Sequence, residues 1–236
     1  YNNDFFPHTR NINHLFKNLK YLILLKESAV EAHKNLPDYL HQTIDKNLSY
    51  LKTLITPENK LPLFNGVNEV STENFEDYLV NLNLKIKKVK SPIGDIVILK
   101  NKKDTVYIDV GGPPKKLHSY DYQLGPLSFE YFSEGKKIIT NCGYGSKISK
   151  KAERLSRLSS AQSTITLNNE SVIKKDEIFN YKNSFKIYDT EFINDDTKII
   201  CIASHDAYYK KYGCIIRRQI ELNKKDGNVY GSDEFI

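Results

Sequence analysis

The 236-residue sequence has no methionine and no tryptophan. Roughly two per cent methionine is ordinary, and its absence even at position 1 points to a processed or truncated chain. Three cysteines, Cys142, Cys201 and Cys214, are too few and too scattered for a disulfide framework or a paired-cysteine zinc site, and no disulfide is predicted. Tyr1 to His8 offers neither a basic nor an apolar signal region. No apolar run approaches the roughly 20 residues needed to cross a membrane; the longest is Tyr21 to Leu25. Acidic side chains number 29 against 35 basic ones, a formal charge of +6. That is short of the dense stripe of a dedicated nucleic-acid binder, and it favours an acidic ligand over a basic one. A lysine-rich solvated surface is the plainer account of the same excess.

What is present suits a folded, water-exposed protein: 39% hydrophobic, 27% charged and 11% aromatic residues, in a length that holds one large domain or two modest ones. The first third reads as helices. Leu15, Leu19, Leu22 and Ile23 recur at helical spacing, as do Leu40, Ile44, Leu48, Leu51 and Ile55 after the break at Pro37. A third helix is expected to start at Ser71 or Thr72, whose hydroxyls can cap it. Glu73, Glu76 and Asp77 would lie at its positive end, and Phe75, Tyr78, Leu79 and Leu82 on its buried face.

From about Lys85 the period changes to two. Val106, Ile108 and Val110 alternate, as do Leu127, Phe129 and Tyr131, and then Ile216, Arg218, Ile220 and Leu222. Turn signals separate these stretches at Ser91-Pro92, Gly111 to Pro114, Glu134-Gly135, Asn168-Asn169, Asn194 to Asp196 and Asp226-Gly227. With no long helical pattern between strands, a meander or sandwich of antiparallel sheets is favoured. The predicted organisation is a helical segment over 1–84 and a β-sandwich over 85–236, an α+β chain without internal repeats.

Several chemistries can be set aside. Gly111-Gly112-Pro113-Pro114 is no phosphate cradle, because proline lacks the N–H donors and no Lys-Ser/Thr pair follows; a loop placing His118 at a surface or cleft is the better reading. Asp109 with Asp121, and Asp195 with Asp196, are acidic pairs of the sort hydrolases use, but Asn194-Asp195-Asp196 reads as a turn. Lys85, Lys87, Lys88 and Lys90 have the spacing of a solvated strand, so no nucleic-acid partner is predicted.

Gly125-Pro126-Leu127-Ser128-Phe129-Glu130, then Ser133-x-Gly135 and Ile139 to Gly143, resemble the His-x-Asp-x-Leu-Ser-Phe-Glu hairpin and following strand of the heparinase II/III family. Arg157 and Ala161-Gln162-Ser163-Thr164 are similar to a second family segment. Ser204-His205-Asp206-Ala207-Tyr208, with Gly213 and Arg217-Arg218, is similar to a third. Phe5 to Asn11 and Phe64-Asn65-Gly66 resemble the helical part of a divergent branch. The resemblance implies the C-terminal portion of a polysaccharide lyase: the end of an α/α toroid followed by a β-sandwich. It also implies β-elimination on an acidic, uronic acid polysaccharide, and a cell-envelope or periplasmic setting. The alternative is a catalytically degenerate descendant that binds a glycan or a protein.

On that resemblance the catalytic candidates are His14, His8, Asn11 and His205. Arg10, His118, Arg157, Tyr208 and Arg217 are candidates for substrate binding. His14 stands where the family has a Tyr base, and imidazole is a competent base near neutral pH. Some members bind a structural zinc through two His and one Asp, and those positions are Gln123, Asn141 and Gln162 here. Neutral amides are poor zinc ligands, so no metal or other cofactor is expected; hydrogen bonding among the amides would hold the strands instead.

Overall fold

The computed structural model describes residues 1–81, 86–172 and 185–236. Leu82 and Lys85, named above, lie outside them. Three helices come first: α1 (Ile12–Glu31), α2 (Asp38–Leu54) and α3 (Glu73–Asn81). Asn11 caps α1, its side chain accepting the Asn13 N–H at 2.8 Å, which satisfies one of the donors a helix start leaves open. Pro37 sets the start of α2, since its fixed φ suits that place and its missing N–H costs nothing there. The leucine and isoleucine stripes of α1 and α2 face each other and are almost fully buried.

Two four-stranded antiparallel sheets follow. The first is the meander β1 (Ile96–Lys100), β2 (Asp104–Asp109), β3 (Phe129–Ser133) and β4 (Lys136–Ile139). The second is β5 (Ile187–Asn194), β6 (Lys198–His205), β7 (Ile216–Asn223) and β8 (Val229–Phe235), again in sequence order. The short helices α4 (Lys150–Ser156) and α5 (Tyr209–Tyr212) lie in the connections.

Alternation along the strands sorts side chains into two cores. Ile96, Tyr107 and Phe132 point from the first sheet into the helical core. Val97, Leu99, Val106 and Ile108 point the other way, onto Ile199, Cys201, Ile220 and Leu222 of the second sheet. The result is three layers, helices on sheet on sheet, and β2 in the middle is buried along its whole length. Each such aliphatic side chain contributes roughly 1.5–3 kcal/mol on burial.

Arg218 ties β7 to the turn before β3 and to the loop at Ser163. Its Nη1 donates to the carbonyls of Leu127 and Ser163, both at 2.9 Å, while Nε and Nη2 grip Asp233 of β8 at 2.7 and 2.9 Å. Leu127 departs from the alternation read above. It sits at φ +53°, in the turn before β3, buried but outside the strand.

Candidate functional site

The stretch before α1 lies on the Gly111–Asp121 loop of the first sheet and is held there by ion pairs. Arg10 is buried, with its backbone at φ +55°, a conformation that costs a non-glycine residue of order 1 kcal/mol. Its guanidinium offsets that cost: it is bound to Asp109, donates to the Gly112 carbonyl at 2.8 Å, and pairs with Asp95 at 3.1 Å. Gly111 is needed beneath it, because a Cβ there would run into the guanidinium. Asp109 is further held by the Gly111 N–H and the Asn65 amide, each at 3.0 Å.

Beside this anchor, two pairs of rings join the N-terminal stretch to the loop. His8 and His118 stack with centroids 5.0 Å apart and planes inclined by 15°. Burial foremost, then the positive charges of the chain's N-terminal amine, His118 and Lys115, lower the His8 pKa. In the first turn of α1, His14 Nε2 lies 3.1 Å from the Tyr120 hydroxyl and 3.5 Å from Asp121, while its Nδ1 lies 3.0 Å from Thr9 Oγ1. Tyr120 is 61% exposed and Asp121 only 3%. The Asn11 amide that caps α1 also donates to Asp121 Oδ2 at 2.5 Å. Asp121 Oδ1 has no hydrogen-bond partner among the described residues. Burial is the largest influence on this carboxyl and raises its pKa, against the pull of Asn11, His14 and Arg157. Gly66 closes the back wall at φ +90°, where a Cβ would come within 2.7 Å of Asp121 Cγ and 2.8 Å of Asn11 Nδ2.

Arg157 supports the loop from below. Buried at the end of α4, its Nη1 donates to the Tyr120 carbonyl and its Nη2 to the Ser119 carbonyl, the latter at 3.0 Å. Arg10 and Arg157 therefore spend their donors inside the protein. His205 and Tyr208 join neither ring pair. His205, 1% exposed at the end of β6, packs by Phe185 and Tyr208, and burial first and Arg218 second lower its pKa to about 4. The Tyr208 hydroxyl, 3.1 Å from the carbonyls of both Ile165 and Glu170, is pushed up to about 12, chiefly by burial. Arg217 is half-buried on β7, adjacent in sequence to the clamping Arg218, on the opposite face of the strand.

The three amides do gather. Gln123 Nε2 donates to the carbonyls of Gly143 (3.0 Å) and Ser156 (2.9 Å), and Gln162 Nε2 donates to the same Ser156 carbonyl at 2.9 Å. Asn141 Oδ1 accepts the N–H of Ser163, the next residue after Gln162, at 2.9 Å. Glu130, fully buried on β3, holds the Asn141 backbone N–H at 3.2 Å, the Thr140 hydroxyl at 2.7 Å and the Leu63 N–H at 3.0 Å. Among the described residues the amides bond to backbone groups rather than to one another, which corrects the sequence expectation. The reason is geometric: the Gly143 carbonyl and the Ser156 carbonyl at the end of α4 need donors, and the two glutamines supply them. The residues do not fit zinc. Gln123 Oε1 is occupied by the Gly66 N–H at 3.0 Å and Asn141 Oδ1 by Ser163, and none of the three carries the charge that offsets the ion's dehydration. Among the described residues no group of three or more His, Cys, Asp or Glu side chains could hold a metal.

The model of the heparinase II/III-like C-terminal domain matches residues 89–236, more than half of the chain. The chain belongs to the heparinase II/III-like family. Solved structures agree with this at the level of fold. Heparan sulfate lyase HepC from Pedobacter heparinus superposes with a TM-score of 0.71 at 13% identity, over 94% of this chain and 37% of its own. A heparinase III gene product does so with a TM-score of 0.78, also at 13% identity, over 99% and 39%. The chain thus spans about two fifths of the length of these heparinase-like structures. No curated protein matches by sequence.

Sequence reasoning overlooked Tyr120, and it read Asp121 only as half of a hydrolase pair. Their signal was local: His118-Ser119-Tyr120-Asp121 sets four chemistry-bearing side chains directly after a turn-rich loop. What hid them is that their partner, His14, lies 106 residues away in the chain.

Proposed function

We propose that this heparinase-like chain carries the proton-transfer site of a lyase that cleaves an acidic, uronic acid polysaccharide by β-elimination. The single observation carrying the reading is the exposed Tyr120 hydroxyl set on His14 Nε2 at 3.1 Å, with a buried carboxylate, Asp121, 3.5 Å from the same nitrogen. The proton next to a uronate carboxylate is a weak acid, so its removal needs a base within hydrogen-bond reach and neutralisation of the carboxylate. In this reading Tyr120 oxygen takes that proton while passing its own to His14 Nε2, and Asp121 stabilises the imidazolium. The electron pair left on carbon forms the double bond, the glycosidic bond breaks, and the proton returns from His14 through Tyr120 to the departing oxygen. Thr9 and Asn11 fix His14 and Asp121, while His8 of the N-terminal stretch and His118, Lys115 and Lys116 of the loop face the substrate's anionic groups. The reading treats 1–84 as the helical wall and 85–236 as the sandwich wall of one cleft.

The test is incubation with a panel of uronic acid polysaccharides, following the ultraviolet absorbance of the unsaturated product. Activity should fall roughly 100-fold or more in Tyr120→Phe and His14→Ala; full activity in both sinks the reading. The burial of His205, a second base candidate, favours an alternative: the same cleft binds an acidic glycan without turnover. In that case calorimetry detects binding, no glycan yields the unsaturated product, and His14→Ala leaves affinity intact.

A further inference from the structure

Five exposed cations, Lys115, Lys116, Lys147, Lys151 and Arg154, have no acidic partner among the described residues. Two of them precede Tyr120 on the cleft loop. The other three lie on and just before α4. The two groups are tied into one surface by Arg157 at the end of α4, whose guanidinium holds the carbonyls of Ser119 and Tyr120. Glu153, the acidic residue of α4, is engaged by Lys150 at 3.0 Å and by the Tyr144 hydroxyl at 2.8 Å, so it does not neutralise its neighbours. Unpaired like charges repel one another and persist where a polyanion offsets them.

We infer that α4 and the turn before it form an exosite, distinct from the reaction site, that binds the continuation of a long anionic glycan whose reacting unit sits at Tyr120. The inference rests on the cleft reading of Tyr120, and it makes the protein selective for chain length. A chain of α4's seven residues is about 10 Å long, so the exosite engages only substrates that extend past the reacting unit. Binding there is by point charges and releases counterions, so it weakens steeply as salt rises. Ile148 and Leu155, 82% and 45% exposed, lie among these cations. An anionic bilayer would use them as well as the charges, but continuity with the cleft through Arg157 favours the glycan.

The experiment uses the whole chain carrying Lys147→Gln, Lys151→Gln and Arg154→Gln together, with thermal melting to show that it folds. Binding to size-fractionated heparan sulfate is measured against salt. For long fractions the variant should lose roughly 10- to 100-fold in affinity near 0.15 M salt, and its log K against log salt slope should shrink by about one per cation removed. For the shortest fractions affinity should not change. Equal loss at every length, an unchanged slope for long chains, or binding of the wild type to phosphatidylserine vesicles but not to long glycan would each overturn the exosite. Turnover assayed on the shortest substrates separates this from failure of the lyase reading, which leaves the exosite's length and salt dependence standing while abolishing product.

Discussion

Replacing Gln123 by alanine removes three buried hydrogen bonds at once: from the Gly66 N–H, to the Gly143 carbonyl, and to the Ser156 carbonyl. The consequences differ for the three partners. The Ser156 carbonyl keeps the donor from Gln162, so it stays satisfied. The Gly66 N–H and the Gly143 carbonyl keep none among the described residues. Leaving a buried polar group unpaired costs about 1–3 kcal/mol, so two such groups give about 4 kcal/mol. Gln162→Ala removes one bond to a carbonyl that retains its other donor, and its cost is about 1 kcal/mol. Urea unfolding of both variants, with a common slope, measures the difference. A Gln162→Ala cost equal to or above that of Gln123→Ala would refute the accounting of these amides, as would a Gln123→Ala cost under 1 kcal/mol.

His205 gives a pH prediction with a definite sign. Its pKa in the folded protein is about 4 against an ordinary 6.5, so between those values the unfolded chain holds a proton that the folded one does not. The stability this neutral imidazole contributes is full above about pH 6.5 and drains away as pH falls toward 4. It amounts to about 3 kcal/mol, and the wild-type minus His205→Gln difference in unfolding free energy should shrink by that amount across the window. For Arg218→Ala, loss of the two hydrogen bonds to the Leu127 and Ser163 carbonyls and of the Asp233 clamp should cost about 3 kcal/mol, measured by urea unfolding. Installing the family's ligand set, Gln123→His with Asn141→Asp and Gln162→His, should create a zinc-dependent rise in stability, about 2.7 kcal/mol at a hundredfold excess of zinc over Kd; no zinc-dependent shift would mean that the three positions do not converge as the Ser156 carbonyl shared by Gln123 and Gln162, and the bond from Ser163 to Asn141, indicate.

Much of the fold was legible because its signals are periodic and local. The α1 and α2 stripes, the Pro37 break, the two-residue alternation of β2 and β7 and the Asn194–Asp196 turn each depend on residues within one element. The exception, Leu127, shows the limit of periodicity: a positive φ in the turn before β3 imitates strand alternation. The amides were locatable because motif order fixes their positions, yet their partners are backbone groups of the connecting segments in which all three lie, which no side-chain pattern reveals. The ring pairs were the least legible part, since they exist only where the N-terminal stretch meets a loop more than 100 residues downstream. Arg10 illustrates the converse. A cation in a promising segment is equally suited to buried pairing with Asp109, and the left-handed backbone that demands this pairing is not visible in sequence.

Tyr120 and His14 move a proton from carbon rather than activate water in the proposed reaction, and product mass separates the two directly. Mass spectrometry of oligosaccharides released from a uronic acid polysaccharide by the full-length protein should find the fragments that carry a newly formed non-reducing end lighter by one water than the corresponding hydrolysis products, with none released by Tyr120→Phe. Fragments carrying the mass of hydrolysis, or unchanged release by Tyr120→Phe, would contradict it.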